Sequence, residues 1–528
     1  MSWMRSGGRL LLFSVLAGLL LFKSILWHEI PAPAGMLDWF YPWRHYAVQQ
    51  DAKRAVPFEG MAVRGDLLAA IPQDAYIHDA FRSGRFPLWN ADVLCGVPFA
   101  AYYRTVWYPP RALLLWAFEP LTASLLSVFL HLVIAGLAMS WFLRELGLRD
   151  GPADFGGVVW MLGGYSTAWI EIYYVPIACA LLPLLMVGAE RLASRRDGAS
   201  FALAATPMGL LLVGCHWQFA LYGAAFGAIW LVTRLWGGEG RWRWLWVPAV
   251  CLCAIAVGAV QILPTLQLAR LADRPPMPDL ASVNAQCRLL PEMLATIVVP
   301  ELLGSQAAGF WSRVNSPLQT FSELIIYFGI IPLLMVFGAP RSGVRAWRFF
   351  AVAAVVALLL ATGSPLYALA WALIPPVRFL TPLRVLWLFA FCMAVLAGCG
   401  AQRAADTGRL PGGWRGAVAL LAAVVAAEAV ALTLFVPGGT WFDDLVTTYI
   451  RWGSFPMPNY AGGDRFVAGL VAAMQRHYTV WSLPFLGPLL LAAFLVVIEV
   501  LVERGRVSAG VAGGLLVLLT VVDLLGFG

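Results

Sequence analysis

LTASLLSVFLHLVIAGLAMSWFL, residues 121–143, is a continuous apolar run whose one ionisable side chain is His131, and it is followed at once by Arg144 and Arg149. Strand patterning would alternate apolar and polar residues, whereas this run does not alternate and is long enough, as a helix, to cross the hydrocarbon of a bilayer, which takes about 20 residues. A transmembrane β-barrel, built of short alternating segments of about ten residues, is excluded on the same ground.

The rest of the chain repeats the pattern. It is 61% hydrophobic and 12% charged over 528 residues, with a mean hydropathy of +0.76, against about 25% charged residues in an ordinary soluble domain. Apolar runs at 9–27, 121–143, 154–169, 174–191, 200–215, 218–233, 245–266, 321–338, 348–363, 383–402, 415–436, 483–502 and 508–526 predict one polytopic domain, an all-α bundle of about 13 transmembrane helices. Arg5 and Arg9 precede the first run and no small-residue cleavage site follows it, so it is expected to stay as a signal-anchor.

Arginine sets the orientation. Every second connection is short and basic: Arg144 and Arg149; Arg191, Arg195 and Arg196; Arg234, Arg241 and Arg243; Arg341, Arg345 and Arg348; Arg403, Arg409 and Arg415; Arg504 and Arg506. With the N-terminus inside, all of these fall on the cytoplasmic face of a plasma membrane and the C-terminus falls outside. The formal charge of +7 is therefore spread through topology-setting loops, not gathered into a nucleic-acid-binding patch. The intervening outer segments are long: 28–110, 267–320, 365–382 and 437–482. They are rich in Pro, Trp, Tyr, Asp and Arg, a composition of packed loops and short interfacial helices, and polar chemistry is expected there.

In the first outer loop, LDWFYPWRHY (37–46) carries Asp38, and RGDLLAAIPQDAYIHDAFRSGRFPLWN (64–90) carries Asp66, Asp74, His78, Asp79, Arg82, Arg85 and Asn90. An ionised carboxylate beside a membrane serves as a general base or a cation ligand, and a neighbouring arginine holds phosphate. The same residues also do nothing more than solvate an aqueous loop in many proteins. His and Cys nowhere reach metal-site spacing, and most cysteines sit inside apolar runs as small hydrophobes. His131, Glu171, His216, Glu428 and Asp523 lie in or near spans, where a charge costs about 2.5–3.5 kcal/mol and calls for a partner.

The phrase D-x5-P, R-x-G-x-x-P-L-W-N, G-V-P, Y-x4-Y-P-P, running from Asp66 to Pro110, resembles the first outer loop of the YfhO family of bacterial membrane proteins, which has the GT-C glycosyltransferase fold. GCHWQFALY (214–222) resembles that family's G-H-x-Q-x3-Y segment, QILPTLQLAR (261–270) its Q-x-x-P-T segment, and PPVRFLTPLR (375–384) its R-x3-P-x-R run. The resemblance implies an inner-membrane enzyme that moves a sugar from a polyprenyl-phosphate donor to a glycan, lipid or protein acceptor on the outer face. Asp66 stands at the family's own D-x5-P phrase, and Asp38 stands where the wider fold places its acid, soon after the first span; Asp66 is favoured as base. Arg378 and Arg384, then Arg104, are implied as ligands of the lipid phosphate, with His78, Asn90, His216 and Gln218 around the substrate. No cofactor is called for, although a divalent cation at Asp38, Asp66 or Asp74 fits some members of the fold.

Two other functions remain open on the sequence: a transporter or flippase of lipid-linked material, and a non-catalytic scaffold. A transporter predicts paired broken helices in two similar halves, and no internal repeat is visible.

Overall fold

The computed structural model describes residues 2–27, 70–102, 104–170, 174–236, 241–271, 321–410 and 483–527, with short pieces between 279 and 311. Asp38, Asp66, Glu171, Glu428 and the expected span 415–436 lie outside the described residues.

The described chain is helical. Its main helices are α1 (Ser2–Leu20), α2 (Ile71–Arg82), α3 (Pro109–Ala117), α4 (Pro120–Glu145), α5 (Asp150–Leu162), α6 (Tyr174–Arg195), α7 (Gly198–Gly214) and α8 (Trp217–Leu235), followed by α9 (Trp246–Leu271), α10 (Ile330–Val336), α11 (Trp347–Ala361), α12 (Pro365–Leu373), α13 (Leu386–Thr407), α14 (Leu483–Glu503) and α15 (Ala509–Phe527). Strand structure among the described residues amounts to the antiparallel pair Gly304–Ser305 and Phe310–Trp311. Among the described residues, five helices are long and apolar enough to cross a membrane, Pro120–Glu145, Tyr174–Arg195, Trp242–Leu271, Pro382–Thr407 and Leu486–Glu503, or six if the bent pair Trp347–Ala361 and Pro365–Leu373 is one span. The protein is a multi-pass membrane protein.

Burial orders these spans. Of the apolar window of α6, 89% is buried, against 22% for α9, so α6 is central and α9 presents its Leu, Ile and Val to the surroundings. A helix that is apolar all round has this choice because lipid and protein interior are equally apolar, and small residues then decide which helices close up. Gly188 of α6 is covered by the backbone of Leu203 and Ala204 of α7, and Gly400 of α13 by the Met335 carbonyl of α10, each closer than a Cβ would allow. Around α6 lie α4, α7 and α8, while α13 packs against α5, α10 and α11. Trp160, Trp230, Trp387, Phe142, Phe350 and Phe391 interlock between the two groups.

The basic loops gather at one end of this bundle. Arg9 Nε donates to Asp154 at 2.9 Å, and its Nη2 pairs with Asp150. Arg191 joins Glu145 at 2.6 Å, Arg234 joins Glu190 at 2.6 Å, and Arg149 pairs with Asp406. The start of α1 and α5 and the finish of α4, α6, α8 and α13 therefore share one end, as the arginine alternation requires.

Three expected spans depart from straight helices. Residues 154–169 divide at Gly163, which is extended (ψ 147), into α5 and the short helix Gly164–Thr167. Residues 348–363 form α11, which turns by 83° into α12 through Gly363 at φ +68 and Pro365. Residues 321–338 are broken: a single turn, Phe321–Leu324, then an extended stretch, then α10. Gly329 at φ +100 cannot continue a helix, and Pro332 follows close behind. Ile325, Ile326, Tyr327 and Phe328 of the extended stretch are buried, so its backbone groups must find partners inside the protein. Gly164 N–H donates to the Tyr327 carbonyl at 2.9 Å, Ile330 N–H donates to Asp523 Oδ2 at 2.9 Å, and the Tyr327 hydroxyl donates to the same carboxylate.

Candidate functional site

At the end opposite the basic loops, four segments far apart in sequence meet. They are the turn 214–218 between α7 and α8, the 3-10 turn Pro382–Val385 that leads into α13, the turn Phe321–Leu324, and Tyr165 of the short helix after α5.

Arg384 is the hub. Its Nε donates to Glu323 Oε1 at 2.8 Å, and its Nη1 lies 3.2 Å from His216 Nε2 and 3.4 Å from Gln218 Oε1. No bond to Nη2 occurs among the described residues, and the side chain keeps 21% of its exposure. The guanidinium is thus held at Nε and Nη1 by the described residues. Glu323, 2% exposed, offsets the positive charge of Arg384 and the positive end of the α13 dipole. Pro382 opens the 3-10 turn, where its missing N–H loses nothing, and fixes the angle at which Arg384 enters the cluster.

The α8 side is set by a cap. His216 precedes α8 and its Nδ1 accepts the Gln218 N–H at 3.2 Å, satisfying one of the helix's free donors. Gln218 Nε2 then donates to the Thr381 carbonyl at 2.6 Å and to the Tyr222 hydroxyl at 3.0 Å. GCHWQFALY and PPVRFLTPLR, two of the segments singled out by resemblance, are bonded to each other through these contacts. Tyr174 stacks on His216, with centroids 5.9 Å apart.

Glu323 and Tyr165 escape the sequence reading. Both are buried, and neither Glu323 Oε2 nor the Tyr165 hydroxyl has a hydrogen-bond partner among the described residues. The Ser322 carbonyl, next to Glu323, accepts from Trp169 Nε1 at 2.8 Å, which ties the broken span to the same neighbourhood.

The first outer loop is anchored beside this bundle by a second buried pair. Asp74 of α2 is 1% exposed and pairs with Arg111 of α3, itself 0% exposed, while Ser124 of α4 bonds both at 3.1–3.2 Å. His78, one turn along α2, bonds the Leu115 carbonyl at 2.8 Å and faces Glu119 at 3.7 Å. The PLWN segment folds into a closed turn: Asn90 and Val97 exchange backbone hydrogen bonds of 2.8 and 2.9 Å. Asn90 Oδ1 accepts from Asp92 N–H at 2.9 Å, and Tyr76 donates to the Trp89 carbonyl at 2.6 Å. The Trp89 ring occupies the space where Gly96, at φ +113, would carry a Cβ. Asn90 and His78 are thereby engaged in shaping the loop.

The remaining sequence candidates make no bond to Arg384 among the described residues. Arg378 is exposed, its Nε donating to the Trp371 carbonyl at 3.3 Å. Arg104 opens the 3-10 turn Arg104–Trp107. Gln261 and Thr265, from the QILPTLQLAR segment, both donate to the Ala101 carbonyl, at 3.0 and 2.8 Å, and so fasten α9 to the loop. His131 is paired as an intramembrane histidine must be, with Ser127 O at 2.6 Å and the Tyr108 hydroxyl at 2.8 Å. No group of three His, Cys, Asp or Glu suited to a metal exists among the described residues.

Compared with known proteins, the chain matches no family description and no curated sequence. Among solved structures it is similar to ArnT from Cupriavidus metallidurans, determined bound to undecaprenyl phosphate, at 14% identity and a TM-score of 0.38, over 86% of this chain and 71% of that one.

Proposed function

We propose that the protein is a membrane glycosyltransferase of the GT-C type that takes a sugar from a polyprenyl-phosphate donor at the outer face and passes it to an acceptor there. The observation that carries the reading is the fixed, part-buried guanidinium of Arg384 at the mouth of the bundle, with no bond to Nη2 among the described residues. Such a group holds a phosphate oxygen at headgroup depth and stabilises the charge that grows on it as it leaves. The resemblance of the segments that build this cluster to the YfhO family supports the same reading.

In the proposed step the acceptor oxygen bonds to the anomeric carbon as the bond from that carbon to the phosphate oxygen breaks. The acceptor proton goes to a carboxylate of the first outer loop, Asp66 ahead of Asp38, and the electron pair leaves with the polyprenyl phosphate. One base suffices, and the configuration inverts. His216 and Gln218 hold Arg384 in place, and Arg378 and Arg104 are assigned to the lipid headgroup around it. A divalent cation is not needed for a monophosphate leaving group already met by arginine.

Asp66→Asn is expected to lower transfer from a radiolabelled polyprenyl-phosphate sugar pool by about 10²–10⁴-fold, with Asp38→Asn much less affected at matched protein levels. The reverse order reassigns the base to Asp38. Equal transfer by wild type, both variants and vector-only membranes contradicts the enzyme reading and favours a carrier or scaffold role.

A further inference from the structure

Glu323 sits on a one-turn helix at the start of the broken span, its backbone held by Trp169 through the Ser322 carbonyl and by the Asp523-anchored stretch that follows. The carboxylate is almost entirely buried, and one of its two oxygens is engaged: Oε1 takes the Arg384 Nε–H at 2.8 Å, while Oε2 takes nothing among the described residues. The Tyr165 hydroxyl, also buried, is in the same condition. Buried polar atoms are almost always hydrogen-bonded, and leaving a carboxylate oxygen without a donor is costly. A group that enters here and donates a hydrogen bond would satisfy Oε2.

The charges restrict what enters. Next to a carboxylate a phosphate oxygen is repelled, so the anion belongs at the guanidinium and a neutral hydroxylated group belongs at Oε2. A sugar linked to a phosphate has both parts at adjoining positions. We infer that Glu323, with Tyr165, forms the sugar-recognition subsite of the donor: Oε2 accepts a hydrogen bond from a sugar hydroxyl while Arg384 holds the phosphate. This rests on the glycosyltransferase reading and adds to it a specificity-determining residue that lies outside the first outer loop.

The test is binding to the purified full-length protein of two kinds of probe, undecaprenyl phosphate without sugar and a set of undecaprenyl-phosphate monosaccharides (hexose, amino-hexose, pentose). In wild type at least one monosaccharide is expected to bind more tightly than the bare carrier. Glu323→Gln keeps an oxygen for Arg384 but replaces the free acceptor, and is expected to reduce that preference about tenfold while changing bare-carrier affinity less than about twofold. Tyr165→Phe, which removes only a hydroxyl, is expected to reduce the same preference by a smaller factor, so the idea remains testable if Glu323→Gln folds poorly. An unchanged preference in both variants overturns the subsite. Parallel loss of both probes in the variants overturns it also, since that marks a purely structural role. Failure of wild type to bind either probe overturns the transferase reading itself.

Discussion

Arg384→Ala is expected to abolish sugar transfer and, separately, to destabilise the folded protein by about 3–5 kcal/mol, the usual consequence of leaving one member of a buried ion pair alone. Glu323 is 2% exposed and its bonded oxygen would lose its donor, while Gln218 and His216 would lose the group they face. The two effects come apart in the double variant Arg384→Met/Glu323→Leu. Replacing both charges by apolar groups of similar size removes the desolvation penalty as well as the attraction, so most of the stability returns. Transfer is expected not to return, because a methionine cannot take the phosphate-binding role proposed for Arg384. Thermal unfolding in detergent and the transfer assay, run on both variants, check this. Recovery of activity along with stability would show that Arg384 is only a structural pin.

The second large effect concerns the first outer loop. Arg111→Ala is expected to cost about 3–5 kcal/mol as well, since Asp74 is 1% exposed and would lose its buried cationic partner. Here the consequence is local before it is global. Asp74, Arg111 and Ser124 tie α2 to α3 and α4, and α2 leads directly into the closed PLWN turn. Trypsin is expected to cut faster at the exposed Arg82 and Arg85 in the variant than in wild type, and transfer is expected to fall, since the proposed base Asp66 precedes α2 by five residues in the sequence. Unchanged cleavage with intact transfer would mean that the loop is fixed elsewhere.

The ends of the bundle were legible in the sequence because lipid imposes them: arginines that cannot enter hydrocarbon mark one face, and Arg9, Arg149, Arg191 and Arg234 are found together on it. The meeting of His216 with Arg384, 168 residues apart, was legible only as two phrases resembling one family, since nothing in either phrase specifies the other. Glu323 carries no signal in the sequence, since it stands at the edge of an apolar run and belongs to no motif. The break that places it was marked by Gly329 and Pro332, but the surrounding IIYFGIIPL reads as an uninterrupted span by hydropathy. Asn90 is placed at the substrate only by resemblance, and the sequence does not show the turn it closes, in which its Oδ1 accepts the Asp92 N–H.

The proposed transfer requires a lipid phosphate to enter at Arg384. The most direct measurement is photo-crosslinking of the full-length protein in membranes with a diazirine-bearing polyprenyl phosphate, followed by mapping of the labelled peptides. Label is expected in the segments 214–222 and 375–384, competed away by undecaprenyl phosphate and lost in Arg384→Met/Glu323→Leu. Label confined to the end that holds Arg9, Arg191 and Arg234, or undiminished in the double variant, would contradict it.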